Sequence, residues 1–334
     1  MLIRKMVEIY SPSGSEGKLV EFLIEWAKNK GFNAYRDEVG NFIAEKGKEC
    51  KILMVGHVDT VPGEIPVRIE DDNLYGRGSV DAKGALASFL EAAADIEDGI
   101  VIVGAVDEER ESTGARNILG KFNPEFIIVG EPSGWCSLNI GYKGRINLFY
   151  LNRKDKKHGS TPEKNANEEA IDFFNKLKNC CDNFNEKKSF FNKIGIKLIS
   201  INSEDNGIIE SIRMTINFRI PPEFDIKKLK DFIEKIRGDA SVSYSSFEKP
   251  VRVEKKNKLI SSFIRAIREE GGKVRFKLRS GTSDMNILQS YSVPMVTYGP
   301  GNSYLDHTPN EHLNLKEYRK SVKVLRKVLK GLLS

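Results

Sequence analysis

The chain has 334 residues, a formal net charge of +6, and 40% hydrophobic against 30% charged residues. That balance excludes disordered, collagen-like and fibrous classes and leaves enough length for two folded domains. No apolar run reaches the roughly 18–20 residues that span a bilayer, and the start, Met1 to Glu8, lacks the apolar stretch of a secretory signal, so the expectation is a cytoplasmic protein with no membrane contact.

Taken in chain order, residues 15–30 place Leu19, Phe22, Leu23 and Trp26 on one stripe and predict an amphipathic helix. Extended runs follow at 41–45 and 51–56, then a small-residue-rich helix at 81–97 and apolar strands at 100–106 and 126–129. Short apolar strands alternating with helices predict an α/β domain with a largely buried sheet. Near residue 144 the pattern changes. A strand at 145–151, a helix at 166–177, strands at 195–201 and 209–219, a helix at 225–236 and a strand at 240–246 give the β-α-β-β-α-β order of a ferredoxin-like α+β unit. After Pro250 the α/β character resumes, with a helix at 257–270, a buried strand at 294–298 and a Lys-rich terminal helix at 314–333. The reading is a discontinuous α/β domain, 1–143 and 251–334, with a second domain inserted at 144–250.

Cys50, Cys136, Cys180 and Cys181 have neither metal-ligand nor redox spacing and read as structural thiols. Lysines cluster at 154–157, 227–230 and 255–258. They come without zinc-finger spacing or an aromatic RNA-binding consensus, which speaks against nucleic acid. A solvated surface explains them, and so does an acidic partner.

Chemistry concentrates at the ends of the predicted core elements. His57 closes the apolar run 51–56 and has Asp59 two positions on. Strand alternation would put both on one face, with Asp59 orienting the ring and the other nitrogen free for a metal. Alone, this pattern is weak evidence and fits a satisfied core or loop histidine better. Asp81 opens the predicted helix after the glycine-rich Gly76-Arg77-Gly78, where an aspartate is most often an N-cap and capping alone would explain it. Asp107-Glu108-Glu109 and Glu131 follow apolar strands, where open α/β sheets place their ligands. Asp306-His307-Thr308-Pro309-Asn310-Glu311-His312 follows a glycine-rich turn. Carboxylates mixed with a few imidazoles suit Zn²⁺, Co²⁺ or Mn²⁺.

These runs make a family pattern. His57-Val58-Asp59-Thr60-Val61-Pro62, Gly78-Ser79-Val80-Asp81-Ala82-Lys83-Gly84, Asp107-Glu108-Glu109, Gly130-Glu131-Pro132-Ser133 and His307-Thr308-Pro309-Asn310-Glu311 together resemble the M20 metallopeptidase/deacylase family of dinuclear zinc amidohydrolases. They stand in family order nearly end to end. The resemblance implies a zinc-exopeptidase-like catalytic domain carrying an inserted lid and dimerisation domain. It implies two divalent ions, zinc with cobalt as the alternative, bridged by Asp81. His57 and Glu131 would complete one site, and Glu109 and His307 the other. Glu108 would be the general base, and Asp59 would orient His57.

In the inserted domain, Lys157-His158-Gly159-Ser160-Thr161-Pro162 and Asn165-Ala166 resemble the family's lid, which implies a homodimer whose partner subunit supplies the His158 imidazole to the oxyanion. A surface histidine is the plain alternative. Asn206-Gly207 and the run 217–222 with Arg219 resemble segments that bind a substrate carboxylate, although a structural arginine would look the same. Gly281 and Thr282 resemble a pocket-lining loop. His312 has no role in the family and reads as structural.

The chain is short for the family. Its motif spelling is most similar to the lysine- and arginine-biosynthesis branch, which releases lysine or ornithine from the C-terminal glutamate of a small acidic amino-group carrier protein. The net positive charge fits such a partner. A deacetylase of acetylornithine or acetyl-lysine is the alternative with the same chemistry; a dipeptidase or carboxypeptidase ranks below it. A basic binding scaffold without catalysis is the alternative from another class.

Overall fold

The computed structural model describes residues 1–334. The chain divides into two compact units. One comprises residues 1–141, 253–278 and 283–334, and the other residues 142–252 and 279–282. The short return of 279–282 to the second unit is not visible in the sequence pattern.

The first unit opens with helices α1 (Leu2–Glu8) and α2 (Gly17–Lys28), then strands β1 (Asn33–Arg36), β2 (Phe42–Lys46), β3 (Ile52–His57), β4 (Arg68–Glu70) and β5 (Asn73–Tyr75). Helix α3 (Lys83–Ala93) follows, then β6 (Ile100–Ala105), α4 (Thr113–Asn117), β7 (Phe126–Val129) and β8 (Ser137–Tyr142). The second unit contributes β9 (Gly144–Asp155), α5 (Ala166–Asn185), β10 (Gly195–Asp205), β11 (Ile209–Ile220), α6 (Ile226–Ile236), β12 (Ser241–Tyr244) and β13 (Val251–Arg252). The chain then returns through α7 (Lys258–Glu269), β14 (Arg275–Arg279), α8 (Met285–Leu288), β15 (Met295–Thr297), β16 (His312–Asn314) and α9 (Leu315–Leu333).

In the first unit the main sheet runs β1-β2-β6-β3-β7-β15-β8, with β14 also pairing β8. Its centre is parallel: β3 pairs β6 and β7, and β7 pairs β15, all in the same direction. Every residue of β3, β6 and β7 is buried, which explains why these strands read as continuous apolar runs and not as alternating ones. Small residues let the covering helix approach closely. A Cβ on Gly130 would lie 2.9 Å from the Phe89 ring of α3, and one on Gly84 would lie 2.6 Å from the Ser79 carbonyl. Both glycines therefore keep α3 tight against the sheet and its own leading turn. A small sheet, β16-β5-β4, ties the segment after His307 to the segment before Asp81.

The second unit is a four-stranded sheet in the order β10-β11-β9-β12, with every adjacent pair antiparallel. With the element order βαββαβ this is the ferredoxin-like arrangement expected. Its core is the inward set of β9 and β11, Ile146, Leu148, Tyr150, Ile212, Met214, Ile216 and Phe218, packed against Phe173 and Leu177 of α5 and Leu229 and Ile233 of α6. Helix α5 starts with a full capping box: the Asn165 side chain accepts from the Glu168 amide while Glu168 accepts from the Asn165 amide.

Sequence periodicity placed these elements but shortened several. The helix predicted at 166–177 continues to Asn185, and the strand predicted at 145–151 runs to Asp155. The helix expected from residue 81 begins at Lys83. All four cysteines are free, and burial pushes the Cys50 thiol up to about 12. No helix is long and apolar enough to cross a membrane.

Candidate metal centre

The carboxyl ends of the parallel strands supply most of the centre. His57 ends β3, Glu108 and Glu109 follow β6, Glu131 follows β7, and His307 lies on the loop after β15. Open α/β sheets place ligands here because the strands end together while their connections diverge.

His57 is buried, with Nδ1 2.9 Å from the main-chain oxygen of Asp59 and 3.3 Å from its Oδ1. Nδ1–H donates to this oxygen, which leaves Nε2 facing Asp81 Oδ1 at 3.3 Å. Asp59 lies beyond the end of β3, so the turn, and not strand alternation, aims it at the ring. Its side chain also accepts from Ser13 Oγ at 2.7 Å and from the amides of Glu108 and Glu109 at 3.2 and 3.1 Å. One buried carboxylate thus holds both the imidazole and the segment that carries two of the acids.

Asp81 does not cap α3. The helix starts two residues later, behind Ala82, with no side-chain cap. Its carboxylate points to both histidines instead, with Oδ1 3.3 Å from His57 Nε2 and Oδ2 3.1 Å from His307 Nε2. His307 Nε2 is also 3.0 Å from Glu109 Oε1. Donor atoms of His57, Glu108 and Glu131 lie within 4.8 Å of one another, and so do those of Asp81, Glu109 and His307. The structure therefore brings together the six acids and imidazoles that the family resemblance implied as metal ligands or general base. Glu108, read from sequence as the base and not a ligand, stands within one of the two donor groups.

The electrostatics show a site short of positive charge. Burial and the neighbouring carboxylates of Asp284, Glu109 and Asp81 hold Glu108 well above the usual carboxylate range, although His57 opposes this. Burial, Asp81 and Glu108 do the same to Glu131. Hydrogen bonds to Asp81 and Glu109 raise His307 to about 10. Burial disfavours a charged His57, yet its contacts with Asp59 and Asp81 outweigh burial and raise it. Clustered buried carboxylates that hold protons to relieve their repulsion are a donor set suited to divalent cations. The residues present fit a two-ion centre.

The candidates in the second unit differ. His158 is on an exposed loop, with Nδ1 2.8 Å from Ser160 Oγ. Asn206 sits in the exposed turn between β10 and β11, where its Oδ1 accepts from the amides of Ile208 and Ile209. That side-chain oxygen holds the turn. Arg219 is half-buried on β11, opposite Arg145 of β9, and donates to Thr282 Oγ1 at 3.2 Å. Gly281 is next to Thr282 and has open space where a Cβ would stand. His312 opens β16 and packs its ring 4.8 Å from that of Tyr75, a structural role.

Several residues around the centre had no individual role from sequence, although Asp284 ends the run 281–284 that resembles the pocket-lining loop. Glu311 is buried and accepts from the amides of Val80 and Asp81, and Arg77 pairs with it at 2.8 Å. Asp284 is 2% exposed, with Oδ1 lacking a hydrogen-bond partner; burial, with the nearby Asp59 charge, raises it to about 7. Burial lowers Lys83 to about 7, and its Nζ donates to the Ile9 carbonyl at 2.8 Å. A signal did exist for Arg77, Lys83 and Glu311, since each lies inside a quoted motif. Ser13 carried none, being 46 residues from the aspartate it binds.

Known proteins resemble this chain over nearly its whole length. A Deinococcus radiodurans protein named LysW-lysine hydrolase is 37% identical over 98% of this chain and 95% of its own. A Saccharolobus islandicus protein named LysW-lysine/LysW-ornithine hydrolase is 33% identical over 96% and 92%. A Thermococcus kodakarensis protein, provisionally given that second name, is 41% identical over 99% and 91%. Among solved structures, a tripeptidase from Staphylococcus aureus superposes with a TM-score of 0.81 at 20% identity over 99% of this chain and 96% of that one. The aminopeptidase PepT of Bacillus cereus gives 0.79 at 17% identity over 99% and 97%, so the fold is shared. Residues 53–331 match peptidase family M20/M25/M40, whose members use divalent metal ions. With that match and relatives above 30% identity over their length, the chain belongs to peptidase family M20/M25/M40.

Proposed function

We propose that this chain is a metal-dependent amide hydrolase that releases lysine or ornithine from the C-terminal glutamate of an acidic amino-group carrier protein, in lysine and arginine biosynthesis. The observation that carries the chemistry is the Asp81 carboxylate, with one oxygen on His57 and the other on His307. The substrate assignment is supported by relatives matched over nearly their whole length and named for that reaction. The net charge of +6 favours approach of an acidic partner.

Asp81 would be shared by two divalent ions, most simply zinc, with His57 and Glu131 completing one set and Glu109 and His307 the other. Such ions supply Lewis-acid polarisation of the amide carbonyl and acidification of water towards neutral pH. The remaining work falls to side chains. Glu108 stands beside His57 and Glu131, a place from which a carboxylate can take a proton from the attacking water and return it to the departing side-chain-end amine. Asp59 fixes the His57 tautomer through the Nδ1 contact. His158, supplied across a homodimer, would stabilise the oxyanion. Arg219 and Asn206 would hold the substrate carboxylate, with the Arg219 fork suited to bidentate grip, and Gly281 and Thr282 would line the pocket.

The test is hydrolysis by zinc-loaded protein of three amides: the carrier with C-terminal lysine, acetyl-lysine and acetyl-ornithine. Preference for the carrier-linked amide is expected. Faster hydrolysis of either acetylated amino acid would overturn the substrate assignment, and inactivity on all three would overturn the reaction.

A further inference from the structure

The Arg77–Glu311 pair has no part in the chemistry described so far. Glu311 is 1% exposed. Its Oε1 accepts from the amides of Val80 and Asp81 at 2.9 and 3.1 Å. Its Oε2 accepts from Arg77 Nη1 at 2.8 Å. Arg77 in turn donates through Nε to the Gly63 carbonyl at 2.9 Å and through Nη1 to the Thr308 carbonyl at 3.3 Å. The antiparallel pairing of β16 with β5 brings Glu311 beside this turn, and its carbonyl accepts from the Gly76 amide at 3.3 Å.

We propose that Glu311, backed by Arg77, is a positioning residue that sets the Asp81 carboxylate between the two donor groups. The inference rests on the reading of Asp81 as the shared metal ligand. Glu311 grips the peptide nitrogen of Asp81 itself, so the root of that side chain is fixed before any ion arrives. Through Arg77 the same carboxylate reaches the carbonyl of Thr308, the residue after His307. Two members of one donor group, 226 positions apart in sequence numbering by the difference between 81 and 307, are thereby tied to one buried anion. Stability alone is a poor explanation for such a pair. The cost of desolvating a buried Arg and Glu commonly offsets their attraction, and apolar replacements are often as stable. Hydrogen bonds behind metal ligands, by contrast, govern affinity by fixing ligand orientation. Charge-assisted acceptance from two consecutive amides is also stronger than a neutral acceptor would give.

The experiment compares wild type, E311A, E311Q, R77K and a D81N control. It reads three quantities: zinc affinity by chelator competition, melting temperature of metal-free protein, and hydrogen exchange of the Val80 and Asp81 amides without metal. E311A is expected to lose protection at both amides and to bind zinc about 10–100-fold more weakly, the range for outer hydrogen-bond partners of metal ligands. E311Q keeps an accepting oxygen but turns donors on Arg77; it should keep most protection and lose roughly 3–10-fold in affinity. R77K, which loses the planar fork, should fall in the same range. A folded E311A with wild-type zinc affinity overturns the proposal. Should E311A not fold, wild-type affinity in both E311Q and R77K overturns it instead. Wild-type zinc binding by D81N would overturn the underlying reading of Asp81, an outcome distinct from either.

Discussion

The two units present their candidate residues in opposite ways. In the first, His57 and Asp59 are buried, Asp59 accepts from a serine hydroxyl and two amides, and the Arg77–Glu311 pair holds the amide of Asp81. In the second, His158 and Asn206 are exposed and hydrogen-bond to residues of their own loops. The contrast separates two tasks. Atoms that must hold ions at fixed separation are built into a rigid sheet edge, whose outer hydrogen bonds set orientation. His158 and Asn206 stand on exposed turns, where rearrangement costs little, whereas Arg219 is half-buried on β11.

The comparison breaks most readily at Glu108. E108A is expected to lower turnover by about 10²–10⁴-fold, the usual contribution of a positioned proton carrier. Bound metal should be unchanged by elemental analysis. Loss of metal together with activity would make Glu108 a ligand, as its closeness to His57 and Glu131 permits, and would move the proton carrier elsewhere. A second effect tests the exposed unit. H158A should reduce turnover by roughly 10²-fold, as removal of one oxyanion donor does, with metal content and melting temperature as in wild type. Turnover within threefold of wild type would leave His158 a surface residue.

The smallest effect concerns stability and sharpens the claim that the centre lacks positive charge. Asp284 is raised from 3.8 to about 7. A group raised on folding contributes stability that is complete below its unfolded value and is lost as pH rises through its folded value. Metal-free protein should therefore lose stability between about pH 4 and pH 7. D284N removes that contribution and should melt about 1.5–3 °C higher than wild type at pH 8, an increment of about one to two kcal/mol in a chain this long. A variant that melts lower at pH 8 would show that the ionised carboxylate is satisfied by its surroundings.

Much of this was legible in the sequence for a physical reason. Strands buried on both faces write themselves as apolar runs, so β3, β6 and β7 and the acids at their ends stand out, and the split pattern of the inserted unit follows from its period-two strands. What was not legible depends on contacts between distant segments. Whether Asp81 caps a helix or faces two histidines turns on where α3 begins, and it begins two residues further along, at Lys83. Nothing local marks Ser13 as a partner of Asp59 or Arg77 as a partner of Glu311. Short strands such as β4, β5 and β16 have three residues each, too few for a period to register, yet they bring Glu311 to the metal centre.

The most direct test of the account is the number of divalent ions bound per chain, measured by titrating metal-free wild-type protein with zinc and checked by elemental analysis. The account predicts two ions per chain in wild type, and loss of tight binding at both positions in D81N, because one carboxylate serves both. A single ion in wild type, or a D81N protein that still binds two tightly, would contradict it.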